Sequence, residues 1–396
     1  MGIVIQKYGG SSVADTERII HVADRIVRRK RAGDDVVVVV SAMADTTDDL
    51  IELAKSIDPN PPEREFDMLL TAGERISMAL LSMAIQKLGE KAVSFTGSQS
   101  GIITDGDHTR ARIIEVRPTR IIESLNEGII AIVAGFQGVS GKHDVTTLGR
   151  GGSDTTAVAL AVALGASVCE IYTDVDGVFS ADPNRVVGAH RIDKITYSET
   201  LDLAYFGANV LHSRAVELAR ASKMPLRVTS SINEGKGTLI VEKIKGMERP
   251  RFVGISRRDD IFLCKASLPD GKVLNNLLSM LEKECVRIGF PRMRRDGGGW
   301  QASFWADEGD IDSVDAIVGQ FEISIDRDTC LIALVGEEIA QRAEVLREIL
   351  GFLLEHDAEP LLIGATQTSV AIVLPKRAGE KIEEALHAKF IEGGAF

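Results

Sequence analysis

Three short segments of this sequence gather residue types that handle anions. Lys7-Tyr8-Gly9-Gly10-Ser11-Ser12 follows an apolar opening strand and leads into the helix that holds Asp15 to Arg31. Adjacent glycines let backbone N–H groups approach an anion, the helix N-terminus adds partial positive charge, and Lys7 can neutralise phosphate oxygens. The same residues also suit a plain strand–turn–helix corner with a surface lysine. Further on, Thr146-Thr147-Leu148-Gly149-Arg150-Gly151-Gly152-Ser153-Asp154-Thr155-Thr156 sets an arginine among three glycines directly ahead of a strongly patterned helix. Exposed backbone donors and a guanidinium fork can hold a carboxylate in bidentate fashion. Asp154 or Ser153 also suits a helix N-cap, but a cap leaves the arginine and its glycines unexplained. The third segment, Tyr172-Thr173-Asp174-Val175-Asp176-Gly177-Val178-Phe179-Ser180-Ala181-Asp182-Pro183, again follows an apolar strand. It lacks the preceding helix and the twelfth-position glutamate of a calcium loop, and at the carboxyl end of a parallel strand it suits a nucleotide.

Two familiar phosphate motifs are excluded. Gly141-Lys142 is followed by His143, with Phe136 where a P-loop needs its first glycine, and Gly149-Arg150-Gly151-Gly152 does not continue as GxGxxG. Glu74 sits at the edge of a helical core stripe that includes Leu70 and Gly73, as either a solvated surface carboxylate or a functional one. The seven histidines form no HxxxH or HExxH pair, so a histidine metal site has no support and the metal ligands stay unknown. Cys169, Cys264, Cys285 and Cys330 lie far apart and read as reduced core thiols.

Positioning these loops requires a parallel sheet. Apolar, β-branched runs predict strands at Ile3–Gln6, Val36–Val40, Ala92–Phe95, Ile129–Ala134, Val168–Tyr172 and Leu226–Thr229, alternating with helical patterns. The all-valine run Val36–Val40 reads as a central strand buried on both faces. Ile19, Val22, Ile26 and Val27 mark one helix. Phe66, Leu69, Leu70, Gly73, Ile76, Leu80, Ile85 and Leu88 mark a longer one after Pro59-Asn60-Pro61-Pro62.

Around Lys243–Pro250 the texture changes to that of a linker. Beyond it a strand–helix–strand–helix order runs from Ile261 to Gly319. It returns as Cys330–Val335, Ala343–Glu355, Glu359–Ile363, Ser369–Leu374 and Ile382–Lys389, fitting two small βαββαβ units. Val253–Ser256 reads as a strand that belongs in space with the later unit.

At 396 residues, with 44% hydrophobic and 26% charged, the chain is long enough for two or three domains and is neither disordered nor fibrous. A net charge of −12 disfavours a nucleic-acid partner, and the basic run Arg28–Arg31 is explained by the end of a helix. The longest uncharged stretch, Thr155–Cys169, is too short for a bilayer, and the first residues run straight into a strand without a leader. The expectation is a cytoplasmic protein with no membrane and no nucleic-acid partner.

Together the three loops resemble the aspartokinase family, of the amino-acid-kinase fold with C-terminal ACT domains, and most closely its monofunctional type. The resemblance covers Lys7 to about Thr238 and implies a three-layer αβα kinase domain with a largely parallel central sheet, followed by two ACT-like βαββαβ units. The corresponding boundaries are 1–245, 246–328 and 329–396. By the resemblance Lys7, Gly9, Gly10 and Ser11 hold ATP phosphates, and Thr173, Asp174, Phe179 and Asp182 line the nucleotide. Ser41, Thr47, Glu74, Phe136, Arg150, Gly151, Gly152 and Ser153 surround L-aspartate, while Asp154 joins Lys7 at the reacting centre. The implied reaction moves the γ-phosphoryl of MgATP to the aspartate side chain, the first step toward lysine, threonine and methionine. A homodimer or larger assembly follows by the same analogy, as does an amino-acid effector, lysine or threonine, at the ACT-like units.

Where relatives carry FGxK, this chain has Asn209 in the lysine's place, and the usual DPR is Asp182-Pro183-Asn184-Arg185. The ACT-like half departs as well, at Leu268-Pro269-Asp270-Gly271 and at Val335-Gly336-Glu337-Glu338. Two other readings remain: a kinase for another acidic amino acid, and a catalytically weak, amino-acid-binding regulatory paralogue.

Overall fold

A computed structural model describes residues 2–208, 211–244, 251–337, 339 and 342–393; Asn209 and Glu338 thus lie outside the described residues. The first part runs β1 (Ile3–Tyr8), α1 (Thr16–Arg31), β2 (Asp35–Val40), α2 (Thr46–Ile57), α3 (Glu63–Leu70), α4 (Ala72–Lys87) and β3 (Ala92–Phe95). It continues as β4 (Ile102–Thr104), β5 (Ile113–Val116), α5 (Thr119–Asn126), β6 (Ile130–Ala134), β7 (Gln137–Ser140), β8 (Val145–Thr147), α6 (Gly152–Ala163) and β9 (Val168–Thr173). Then come β10 (Lys194–Thr196), α7 (Tyr197–Tyr205), α8 (Ser213–Ser222), β11 (Leu226–Ser230) and β12 (Thr238–Val241).

The central sheet has the order β10-β12-β11-β9-β1-β2-β6-β3, and every neighbouring pair is parallel except β11 with β12. The valines of β2 show how it is covered. Val36, Val38 and Val40 belong to the cluster built with Ile19, Val22 and Ile26 of α1 and Met78, Leu81 and Ile85 of α4. Val37 and Val39, equally buried, point to the opposite face, where α6 lies against β1, β2 and β9. This is the expected three-layer αβα arrangement with a largely parallel sheet. A smaller sheet, β5-β4-β7-β8, adjoins it.

The apolar stretch after the proline cluster is two helices meeting at Thr71, not one, and its buried face differs from the expected stripe. Ile76 is 51% exposed, whereas Glu74, Ser77, Met78, Leu81, Ser82 and Ile85 are buried. Gly73 permits the close packing, because a Cβ there would lie 2.7 Å from the Ala42 Cβ. By length and composition Glu63–Lys87 passes as a membrane span, and half of its most apolar 18-residue window is buried inside the fold.

The second part holds β13 (Gly254–Leu268), α9 (Gly271–Lys283), β14 (Ile288–Asp296), β15 (Gly299–Asp307), α10 (Ile311–Val318), β16 (Glu322–Val335), α11 (Ala343–Glu355), β17 (Leu362–Ala365), β18 (Ser369–Pro375) and α12 (Lys376–His387). Its six strands form one antiparallel sheet, β14-β15-β13-β16-β18-β17. Gly254–Ser256 pair with Ala333–Val335, and Phe252 and Ile255 join the core of α11 and α12, so this stretch does sit with the later half. A separate core lies under α9 and α10. β13 and β16 pass through both halves as unbroken strands, and β16 crosses the expected 328/329 boundary.

The chain divides into two compact units. One comprises Met1–Val178, Arg191–Ala204 and Asn209–Lys245, and the other Phe179–His190, Tyr205–Ala208 and Gly246–Phe396.

Candidate active site

The site begins with strand alternation. On β1, Tyr8 faces α1, so Lys7 faces the other side, between Val39 of β2 and Ile171 of β9 in register. There Lys7 Nζ meets Asp154 Oδ1 at 2.6 Å, with both side chains largely buried. Asp154 lies in the first turn of α6, whose N-cap is Gly151, with φ of 68° and no side-chain capping bond. Neither Asp154 nor Ser153 is therefore the cap, which answers the capping alternative. Gly151 has a second reason to be glycine: a Cβ would fall 2.0 Å from Cγ of His212.

The β8–α6 loop that carries Arg150 is held from three sides. Arg214 donates through Nη1 to the Leu148 carbonyl and through Nη2 to the Ala111 carbonyl, both at 2.8 Å. His212 packs on Gly151. Below the loop, the fully buried Asp67 accepts from Thr147 Oγ1 at 2.5 Å and from the Thr109 N–H at 3.0 Å, and stands 2.6 Å from His108 Nδ1. A buried carboxylate this fully bonded works as a fastener.

Lys7, Gly10, Ser41, Thr47, Glu74, Phe136, Arg150, Gly151, Gly152, Ser153 and Asp154 line one cleft of about 500 Å³ at the carboxyl ends of the parallel strands. The floor beside β1 is tight, since a Cβ on Gly10 would sit 3.0 Å from the Ala42 carbonyl oxygen. Phe136 adopts a positive φ of 67°, a cost tolerated where the surroundings fix it, and a Cβ on the adjacent Gly152 would lie 2.9 Å from its ring. Glu74 is 3% exposed; its Oε1 accepts the Ala42 N–H at 3.3 Å, and its Oε2 has no hydrogen-bond partner among the described residues. Burial pushes this carboxyl up to about 7, against the opposing pull of the Glu74 and Ala42 backbone N–H groups. Arg150 extends into solvent at the rim. The cleft thus offers two cations, an ion-paired aspartate and a buried glutamate, a set suited to an amino acid that carries an extra carboxylate.

The remaining expected residues lie outside that lining. Gly9 donates its N–H to the Tyr172 carbonyl at 3.3 Å, joining the ends of β1 and β9, and Ser11 is exposed, its carbonyl accepting from Arg18. Thr173 closes β9 and donates through Oγ1 to Asp174 at 2.9 Å. Phe179 and Asp182 belong to the second unit. Asp182 accepts from the Asn184 backbone and side-chain amides, and Arg185 is shared between Asp182 and Asp259.

Sequence reasoning missed Asp67, Thr109, Arg214 and the apolar wall of Ile51, Phe66 and Leu70. A signal for Asp67 existed in its place amid the apolar residues of a helix.

The amino acid kinase family pattern matches residues 2–230. An aspartokinase of Mycobacterium tuberculosis is 58% identical over 274 residues, 68% of this chain and 65% of the relative, so that match spans just under two thirds of the relative's length. An aspartokinase of Mycolicibacterium smegmatis is 44% identical along 100% of this chain and 97% of its own. Among solved structures, E. coli aspartokinase III in complex with aspartate and ADP superposes with a TM-score of 0.79 at 25% identity, covering 98% of this chain and 99% of the other. The lysine- and aspartate-bound form of that enzyme gives 0.82. With a family match over more than half its length and full-length relatives of one kind, the chain belongs to the amino acid kinase family and, within it, to the aspartokinases.

Proposed function

We propose that the chain transfers the γ-phosphoryl group of ATP to the side-chain carboxylate of L-aspartate, giving 4-phospho-L-aspartate and ADP, the first step toward lysine, threonine and methionine. The observation that carries this reading is the single cleft that gathers Lys7, Glu74, Arg150 and Asp154. Arg150, with the amides of Gly151 and Gly152 and the Ser153 hydroxyl, takes an aspartate carboxylate. Glu74, its Oε2 otherwise unpartnered, takes the ammonium; Ser41, Thr47 and Phe136 complete the pocket.

The attacking carboxylate, with an ordinary pKa of ~3.9, is already ionised and needs no general base. An oxygen of that group bonds to the γ-phosphorus as the bond to the β–γ bridging oxygen breaks, and the electron pair leaves with ADP. What must be overcome is repulsion between anions. Lys7, aimed by Asp154, and the amides of Gly10 and Ser11 offset charge on the transferring group, while the Gly9 N–H, bonded to the Tyr172 carbonyl, fixes the turn that presents them. Thr173, Asp174, Phe179 and Asp182 keep the nucleotide role that the resemblance gives them. Among the described residues no three His, Cys, Asp or Glu side chains converge as a metal cage; Asp154 would be the carboxylate to hold a magnesium ion bound with ATP, which would neutralise phosphate charge there. The region after the kinase part is read as two ACT-like units, 246–328 and 329–396, taking lysine or threonine, in a cytoplasmic homodimer or larger assembly.

A hydroxamate assay with ATP, magnesium and, in turn, aspartate, glutamate and N-acetylglutamate tests the reading. Product with aspartate alone is expected, and Lys7→Ala should lower turnover by a factor on the order of 10²–10³, as loss of a preorganised charge does. Product with glutamate instead would assign another acidic-amino-acid kinase. No product with any of the three would favour the regulatory paralogue.

A further inference from the structure

The segment Phe179–His190 groups with the second unit, and its hold there centres on Ser180, which is fully buried. The Ser180 carbonyl accepts the N–H of Ile255 on β13 at 2.7 Å, and its own N–H donates to the His190 carbonyl at 2.8 Å. Its Oγ accepts the His190 N–H at 3.0 Å and stands 2.9 Å from Nε2 of His387, the last residue of α12. His387 is fully buried too, and its Nδ1 lies 2.9 Å from Oε1 of Glu392 in the π-helical turn Ala388–Glu392. A carboxylate only accepts, so Nδ1 carries a proton toward Glu392, which leaves Nε2 as the atom that meets the Ser180 hydroxyl. At the far end of the segment, a Cβ on Gly188 would fall 1.8 Å from Glu392 Oε1, so glycine there admits the same turn.

A hydroxyl–imidazole–carboxylate chain has the members of a hydrolytic triad, but Ser180 is closed to solvent and to any substrate. Buried polar chains specify one arrangement more sharply than apolar contacts do. What this chain specifies is the backbone between Phe179 and Asp182.

We infer that Ser180 and His387 form a positioning pair through which α12 fixes the backbone of Phe179–Asp182, so that loss of the pair weakens ATP binding and leaves aspartate binding alone. This rests on the nucleotide role of Phe179 and Asp182 proposed above. The aspartate cleft is lined wholly by the first unit, which is why the two affinities separate.

The full-length chain carries the test. Ser180→Ala removes the hydroxyl without adding bulk, and with it the bonds to His387 Nε2 and the His190 N–H, and should raise the KM for ATP at least about fivefold, with kcat and the aspartate KM within about twofold. His387→Phe should match it, His387→Gln should restore part of the loss, and the Ser180→Ala/His387→Phe pair should be no worse than either single change. Ile317→Val, in the separate core under α10, should lower thermal stability and leave the ATP KM unchanged. An ATP KM that tracks stability across all these variants overturns the pair as a positioning device. If Asp182→Ala leaves the ATP KM unchanged, the nucleotide reading and this inference fall together; if Asp182→Ala raises it and Ser180→Ala does not, the positioning pair alone is overturned.

Discussion

Glu74 ties the chemistry of the cleft to pH. Its carboxyl titrates near 7 in the fold against an ordinary 4.5, so the folded state prefers the protonated form. That preference is fully present below pH 4.5 and is lost as the pH rises through 7, a change of about 3 kcal/mol. Substrate-free protein should therefore lose stability across this window in pH-dependent denaturation, and Glu74→Gln should remove that slope. On the proposed role of Glu74, aspartate reverses the sign, because its ammonium favours the carboxylate. The aspartate KM should fall as the pH climbs past 7, and Glu74→Gln should raise it roughly ten- to hundredfold, the range for a lost charged hydrogen bond, while erasing its pH dependence. A flat profile in the parent protein would sever Glu74 from the ammonium.

The loop bearing Arg150 is only as well placed as its fasteners. Asp67→Ala strands the Thr147 hydroxyl, the Thr109 N–H and His108, and should cost about 3 kcal/mol of stability. Calorimetric melting reads that loss, and the aspartate KM should rise with it; an unmoved KM would mean that Arg214 and His212 hold the loop unaided. Much of this level was legible in sequence. The expected strands of the kinase part fall within two residues of β1, β2, β3, β6, β9 and β11, because burial on both faces leaves unbroken apolar runs. The edge strand β14 escaped notice, being mostly exposed and carrying Arg292, Arg294 and Arg295. The outer half of β16 did so for the same reason, its side chains being largely solvated. The buried face of α4 was misjudged because Glu74, Ser77 and Ser82 share it with Met78, Leu81 and Ile85, and Ser77 satisfies its hydroxyl on the Gly73 carbonyl. Of the site, the glycine loops were visible because their φ values and close approaches leave few alternatives. The Asp67 fastener was hidden because its partners lie 41 to 80 residues away in sequence.

At the scale of the molecule, a net charge of −12 coexists with a cleft that sets Lys7 and Arg150 toward anionic ligands. In the second unit β13 and β16 run through both halves of one sheet and pair across their junction, with register shifts between Arg258 and Leu263. An effector seated on either half should act on both. Titration calorimetry is expected to give saturable heat with lysine or with threonine, and light scattering a mass near twice 42.8 kDa. Flat traces with both amino acids would remove the effector, and a mass of one chain would remove the assembly.

The contact between Ser180 and His387 spans 207 positions of sequence. During translation the segment around Asp182 leaves the ribosome long before its anchor has been made. The parallel sheet of the first unit can close in the meantime, since all its strands precede residue 242. A nascent or prematurely ended chain would then own a closed first sheet and an unsecured Phe179–His190 segment, which, on the nucleotide role proposed above, delays ATP binding until the C-terminal unit has been built.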